Sequence, residues 1–113
     1  MQKKNKILQG NSLDILKKIP DKSVDLVFAD PPYNLQLSDT LYRPDQTAVE
    51  AVTNDWDKFD TYESYDQFSL IWLKECKRVL KVNGALWVIG SYHNILRLGS
   101  CIQTVSYTHL RAH

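Results

Sequence analysis

Asp30-Pro31-Pro32-Tyr33 places a carboxylate, two rigid prolines and an aromatic ring within four consecutive residues. That set suits one demanding reaction, transfer to an amino group conjugated with an aromatic ring, whose delocalised lone pair must be redirected before it can attack. The Asp30 carboxylate and the Pro31 carbonyl can accept both N–H bonds and so favour the pyramidal, nucleophilic amine that exists only near the transition state. Pro31 and Pro32 stiffen the backbone that aims these acceptors. Tyr33 offers a face for a base that has left its duplex, and such stacking is worth about 1–3 kcal/mol. A simpler alternative is that Asp-Pro-Pro breaks a strand and Tyr33 packs nearby. Chance places a given tetrapeptide in a chain of this length on the order of once in a thousand sequences, so structural context decides.

The context favours function. Val24-Asp25-Leu26-Val27-Phe28-Ala29 is a nearly unbroken apolar run, as expected of a parallel strand covered on both faces, and it stops at Asp30. Upstream, Ile7-Leu8-Gln9 is a short strand candidate, and Ser12 is placed to cap a helix through Asp14 to Lys18 that Pro20 ends. Asn34 to Asp60 shows no sustained periodicity and reads as a functional loop. From about Ser64 to Val82, the residues Tyr65, Phe68, Trp72, Cys76 and Val79 recur at helical spacing. Ser64 with Gln67 forms a capping box there, and Asn83-Gly84 supplies the stop. Ala85 to Gly90 is a second buried strand, and Ile95, Leu98, Ile102 and Val105 mark a last amphipathic helix.

Strand, helix, strand, loop, helix, strand, helix implies an α/β domain, a doubly wound parallel sheet flanked by helices. Ligands of such sheets lie beyond the carboxyl ends of the strands. Three expected strand ends carry polar or turn residues: Gly10-Asn11-Ser12, Asp30 to Asn34, and Ser91-Tyr92-His93-Asn94. The site is expected along that shared edge.

Composition is less informative. Fourteen Lys and Arg against 13 Asp and Glu give no global pointer to a polyanion, so DNA would have to meet a local patch. Cys76 and Cys101 fall in apolar helical patterns, which suits buried free thiols in a reducing cytoplasm better than a disulfide. His93, and the pair His109 and His113, lack partners at metal-ligand spacing, so no metal is expected. No apolar run reaches the length of a membrane span.

Gly10-Asn11-Ser12, the strand into Asp30-Pro31-Pro32-Tyr33-Asn34-Leu35, Trp56-Asp57-Lys58-Phe59, and Arg78-Val79-Leu80-Lys81 followed by Leu86 through Ile95 together resemble the β-class amino methyltransferases of DNA. The likeness is greatest to the cell-cycle-regulated adenine methyltransferases that act within GANTC sites, and it runs from Lys6 to about Gln103. It implies a Rossmann-like fold, S-adenosyl-L-methionine as donor, double-stranded DNA as partner, and methyl transfer to N6 of a flipped adenine. A homodimer of the complete enzyme stays open. Carried over by position, Asp30, Pro31, Pro32 and Tyr33 are the catalytic set. Gly10, Asn11, Asp30 and Pro31 would meet the cofactor, with Asn11 standing where the family often has Asp. Tyr33, Asn34, Ser91, His93 and Asn94 would lie beside the target base. Arg43 and Trp56 are candidates for DNA contact, against surface charge and a core anchor respectively as simpler roles.

The family's Phe-x-Gly-x-Gly cofactor loop has no counterpart in the sequence. The expectation is therefore residues 1–104 as the N-terminal part of a catalytic methyltransferase domain, with 105–113 a tail of foreign or frame-shifted origin. Such a chain should be weakly active or inactive alone. Two other readings stay open: transfer to cytosine N4, whose enzymes more often resemble Ser-Pro-Pro-Tyr, and a non-catalytic α/β fragment.

Overall fold

The computed structural model describes residues 5–34, 41–42, 48–49 and 59–107. Two strands form its frame, β1 (Val24–Ala29) and β4 (Leu80–Val88), paired in parallel with Leu26 opposite Ala85 and Ala29 opposite Val88. Parallel neighbours need a long crossover. Helix α2 (Tyr62–Val79) supplies most of the described part of it, and α3 (Ile95–Tyr107) follows β4. A short helix, α1 (Ser12–Lys17), precedes β1. The sequence between β1 and α2, expected as loop, carries a small antiparallel ladder of β2 (Leu41–Tyr42) and β3 (Ala48–Val49).

The core lies between α2 and α3. Tyr65, Trp72, Leu73 and Cys76 from α2 meet Leu98, Cys101 and Val105 from α3, and the sheet residues Val27, Ala29, Leu86 and Val88 pack against them. The apolar helical spacing of both segments is thus spent on one shared seam. Arg97 of α3 locks the pair from outside, binding both carboxylate oxygens of Asp66 at 3.0 and 2.7 Å while its guanidinium lies 4.5 Å over the Tyr62 ring. Lys77 of α2 donates to the Val105 carbonyl at 3.1 Å, serving a carbonyl near the end of α3 that the helix cannot satisfy. The boundary at 104/105 drawn from sequence falls inside α3, where Val105 is a core residue.

Arg78 performs a similar service for α1. Its guanidinium donates to the carbonyls of Leu16 and Ile19, both at 2.8 Å, and to the Asp21 carboxylate at 2.6 Å. Hydrogen bonds to Glu75 and Asp21 hold its pKa above the ordinary arginine value.

Several local expectations are corrected. Asn11, not Ser12, caps α1, accepting from the Leu13 amide at 2.9 Å. Thr61, not Ser64, caps α2; its hydroxyl accepts from the Ser64 amide at 3.0 Å. Both shifts follow from the helix starting where its backbone donors first need an acceptor, and an earlier Asn or Thr meets that need. Helix α2 stops at Val79, and Asn83-Gly84 lies inside β4, next to an irregularity where pairing jumps from Val24 with Leu80 to Leu26 with Ala85. Ile7-Leu8-Gln9 forms no strand; Ile7 is 99% exposed, and no described strand is paired with it to complete a ladder. Nor is the sheet covered on both faces: Leu26, Phe28 and Trp87 are 53, 64 and 64% exposed. Among the described residues, α2 and α3 cover a single face.

Candidate active site

The parallel register brings two of the three expected strand ends together. The Ile89 amide donates to the Ala29 carbonyl at 2.9 Å, extending the ladder by one bond, so Asp30-Pro31-Pro32 and Gly90-Ser91 leave the sheet side by side. Asp30 stands exposed at the tip of β1, and its Oδ1 accepts from the Tyr33 hydroxyl at 2.7 Å. An ionised carboxylate has acceptor sites to spare on its second oxygen. Pro31, Pro32 and Tyr33 are half-buried, and the chain then turns through the left-handed region at Asn34, with φ of 57° and the residue buried. Asn tolerates that conformation better than most residues, and strained backbone of this kind concentrates at functional sites.

The facing segment is ordered by Asn94, which is 1% exposed. Its Oδ1 accepts from the Ser91 amide at 2.7 Å, closing the turn into α3, and its Nδ2 donates to the Tyr65 hydroxyl at 3.0 Å. The Tyr65 hydroxyl in turn donates to the Pro32 carbonyl at 2.6 Å. A Cβ at Gly90 would stand 2.7 Å from Ile95 Cδ1, the tip of a part-exposed side chain, and 3.2 Å from Asn94 Oδ1, so a larger residue there would press on the Asn94 side chain. Ser91 is half-buried, whereas Tyr92 and His93 are exposed with their rings 4.1 Å apart.

The third segment behaves differently. Gly10 is exposed with φ of 149°, and the Asn11 side-chain oxygen is engaged by the α1 cap, which leaves its amide nitrogen as the group free to read a ligand edge. Arg43 and Trp56 lie outside the described residues, as does Lys58. No group of three or more His, Cys, Asp or Glu side chains that could hold a metal occurs among the described residues. No helix among them is long and apolar enough to cross a membrane. A cavity of about 300 Å³ between α2 and α3 is lined by Asp66, Leu96, Arg97, Ser100 and Cys101, and none of the site residues contributes to it.

Tyr65 was not legible as a site residue. At its position the sequence offers one member of an apolar helical stripe, and a buried Tyr in place of Phe is the lone signal that a polar partner waits inside.

The exposed Asp30 carboxylate and the Pro31–Pro32 backbone thus stand at a parallel strand end, beside an ordered second strand end. The chain belongs to the DNA methylase family, whose N6/N4 methyltransferase model matches residues 24–110. Members of this family are S-adenosylmethionine-dependent enzymes. Among individual relatives, it is 47% identical over 103 residues to the type II methyltransferase M.HinfI of Haemophilus influenzae, covering 91% of this chain and 29% of that one. It is 34% identical over 98 residues to the type II methyltransferase M2.MboI of Moraxella bovis, covering 86% and 35%. The chain therefore spans about a third of the length of these relatives.

Proposed function

We propose that this chain carries the catalytic strand end of a Rossmann-like, site-specific DNA methyltransferase that modifies N6 of a flipped adenine in duplex DNA, within a GANTC-like sequence. The observation that carries the reading is the exposed Asp30 carboxylate at the tip of β1, followed directly by the Pro31 carbonyl in a backbone restrained at Pro32. Bound S-adenosyl-L-methionine supplies an electrophilic methyl group. Asp30 and Pro31 would face its methionine end, and Gly10 with Asn11 its adenine. The described residues fit this donor in part: an exposed carboxylate suits a cationic end, but the Asn11 oxygen is already engaged and the cradle is incomplete within them.

The chain's own contribution is to the nucleophile. Asp30 Oδ2 and the Pro31 carbonyl accept the two amino N–H bonds, which draws the nitrogen lone pair out of conjugation. As the new C–N bond forms at the expense of the donor's S–CH3 bond, whose electron pair stays on the departing thioether sulfur, the nitrogen would become cationic, and the adjacent carboxylate would stabilise that charge and could take the departing proton. Tyr33, hydrogen-bonded to Asp30 Oδ1, holds the carboxylate in orientation and presents its ring beside the base. Tyr33, Ser91 and His93 would line the route by which the base enters, whereas Asn34 and Asn94, also expected beside the base, are buried at 7% and 1% exposure, and Arg43 and Trp56 are candidates for contact with the DNA.

The test uses the complete protein that contains this segment, with duplex oligonucleotides, S-adenosylmethionine and mass analysis of the released nucleosides. N6-methyladenine is expected, and N4-methylcytosine would overturn the adenine assignment. Asp30→Ala should lower turnover at least about a hundredfold while DNA affinity changes by less than about threefold, since the role is confined to the transition state.

A further inference from the structure

We propose that Tyr65 and Asn94 are positioning residues for methyl transfer: they clamp the Pro32 carbonyl and thereby aim the neighbouring Pro31 carbonyl and Asp30 carboxylate at the amine. This inference rests on the reading above. Pro31 and Asp30 can accept from an amine only if the peptide that carries them is held at a fixed rotation, and proline restricts φ but leaves ψ to its surroundings. The carbonyl one residue further on is where a surrounding group can grip. Tyr65 Oη grips it at 2.6 Å, and Asn94 Nδ2 reaches the same oxygen at 3.5 Å while bonding Tyr65 Oη at 3.0 Å.

The clamp is built from buried, ordered parts. Tyr65 and Asn94 are each 1% exposed. The Tyr65 ring is set edge-on against Phe59 at 5.0 Å, and its amide bonds the Thr61 carbonyl in the first turn of α2. Asn94 is fixed at its other end by the Ser91 amide. A chain of donors therefore runs from Asn94 through Tyr65 to Pro32, tying α2 and the start of α3 to the end of β1. Each hydroxyl or amide in such a chain polarises the next, and a satisfied network of this kind rigidifies the groups it joins. Burial also separates this role from base contact: neither group lies open to a nucleotide.

Tyr65→Phe removes the gripping hydroxyl and keeps the ring, so the packing against Phe59 survives. Asn94→Asp keeps the oxygen that accepts from Ser91 but replaces the donor to Tyr65 with an acceptor. In the complete protein, each variant is expected to lower kcat by about 10- to 100-fold, the scale on which sub-ångström to 1 Å misplacement of reacting groups acts, with KM for DNA and cofactor within about twofold of wild type. Thermal unfolding is followed in parallel. Wild-type kcat in both variants would overturn the positioning role alone, as would a loss of kcat no larger than the loss of folded protein. A wild-type protein that does not methylate DNA would overturn the functional reading and this inference with it.

Discussion

The two faces of the β1–β4 ladder are covered unequally. On one, Val27, Ala29, Leu86 and Val88 press against the α2–α3 seam; on the other, Leu26, Phe28 and Trp87 stand more than half exposed. Yet both faces are apolar, as a central strand of a parallel sheet requires. The covered face shows what the described segment can organise with its own helices, including the clamp on Pro32 at its upper edge. The open face shows a demand for apolar cover that the described residues do not meet.

Replacing one residue on each face in the 113-residue chain tests this contrast most sharply. Leu98→Ala removes a fully buried side chain from the seam and should cost about 2–5 kcal/mol by urea unfolding. Phe28→Ser on the open face should cost less than about 1 kcal/mol under the same conditions, because little of its area leaves water on folding. Equal losses would mean that the open face is covered after all. A smaller effect is expected from Thr61→Ala, which removes the acceptor for the Ser64 amide at the start of α2 and should cost about 1 kcal/mol.

The smallest effect at neutral pH concerns Cys76, on the α2 side of the seam. Burial, with the Glu75 charge adding to it, pushes its thiol from 9.0 up to about 11. A thiol that ionises more readily unfolded than folded favours the unfolded chain in alkali. Its contribution is therefore intact below about pH 9 and is lost as pH rises through about 11. Unfolding measured from pH 8 to 11 should show this decline, and Cys76→Ala should flatten it. An unchanged slope in that variant would place the titration elsewhere.

Much of the frame was legible because it is periodic. The run from Val24 to Ala29 forms the strand its composition marks, although only Val27 and Ala29 turn toward the core, while the stripes of α2 and α3 bury Tyr65, Trp72, Cys76, Leu98 and Val105 as their spacing indicates, and such periodicity is a property of the chain itself. Element ends were less legible. Asn11, Ser12, Thr61 and Ser64 are all competent caps, and the choice among them depends on where packing of the helix begins rather than on residue type. Ile7-Leu8-Gln9 has the composition of a strand, but a strand exists only with a hydrogen-bonding neighbour, which no local pattern can provide.

Asp30-Pro31-Pro32-Tyr33, and with it the class of chemistry, was determined by the sequence alone, since four adjacent residue types carry the acceptors and the ring whatever surrounds them. Their juxtaposition with the second strand end came only with the tertiary structure, through the parallel register that sets Ala29 against Val88 and Ile89. So did the roles of Tyr65 and Asn94, which lie 33 and 62 residues from Pro32 along the chain. Hydrogen bonds at that separation depend on the packing of α2 and α3 against the end of β1, which brings a buried hydroxyl within reach of the Pro32 carbonyl.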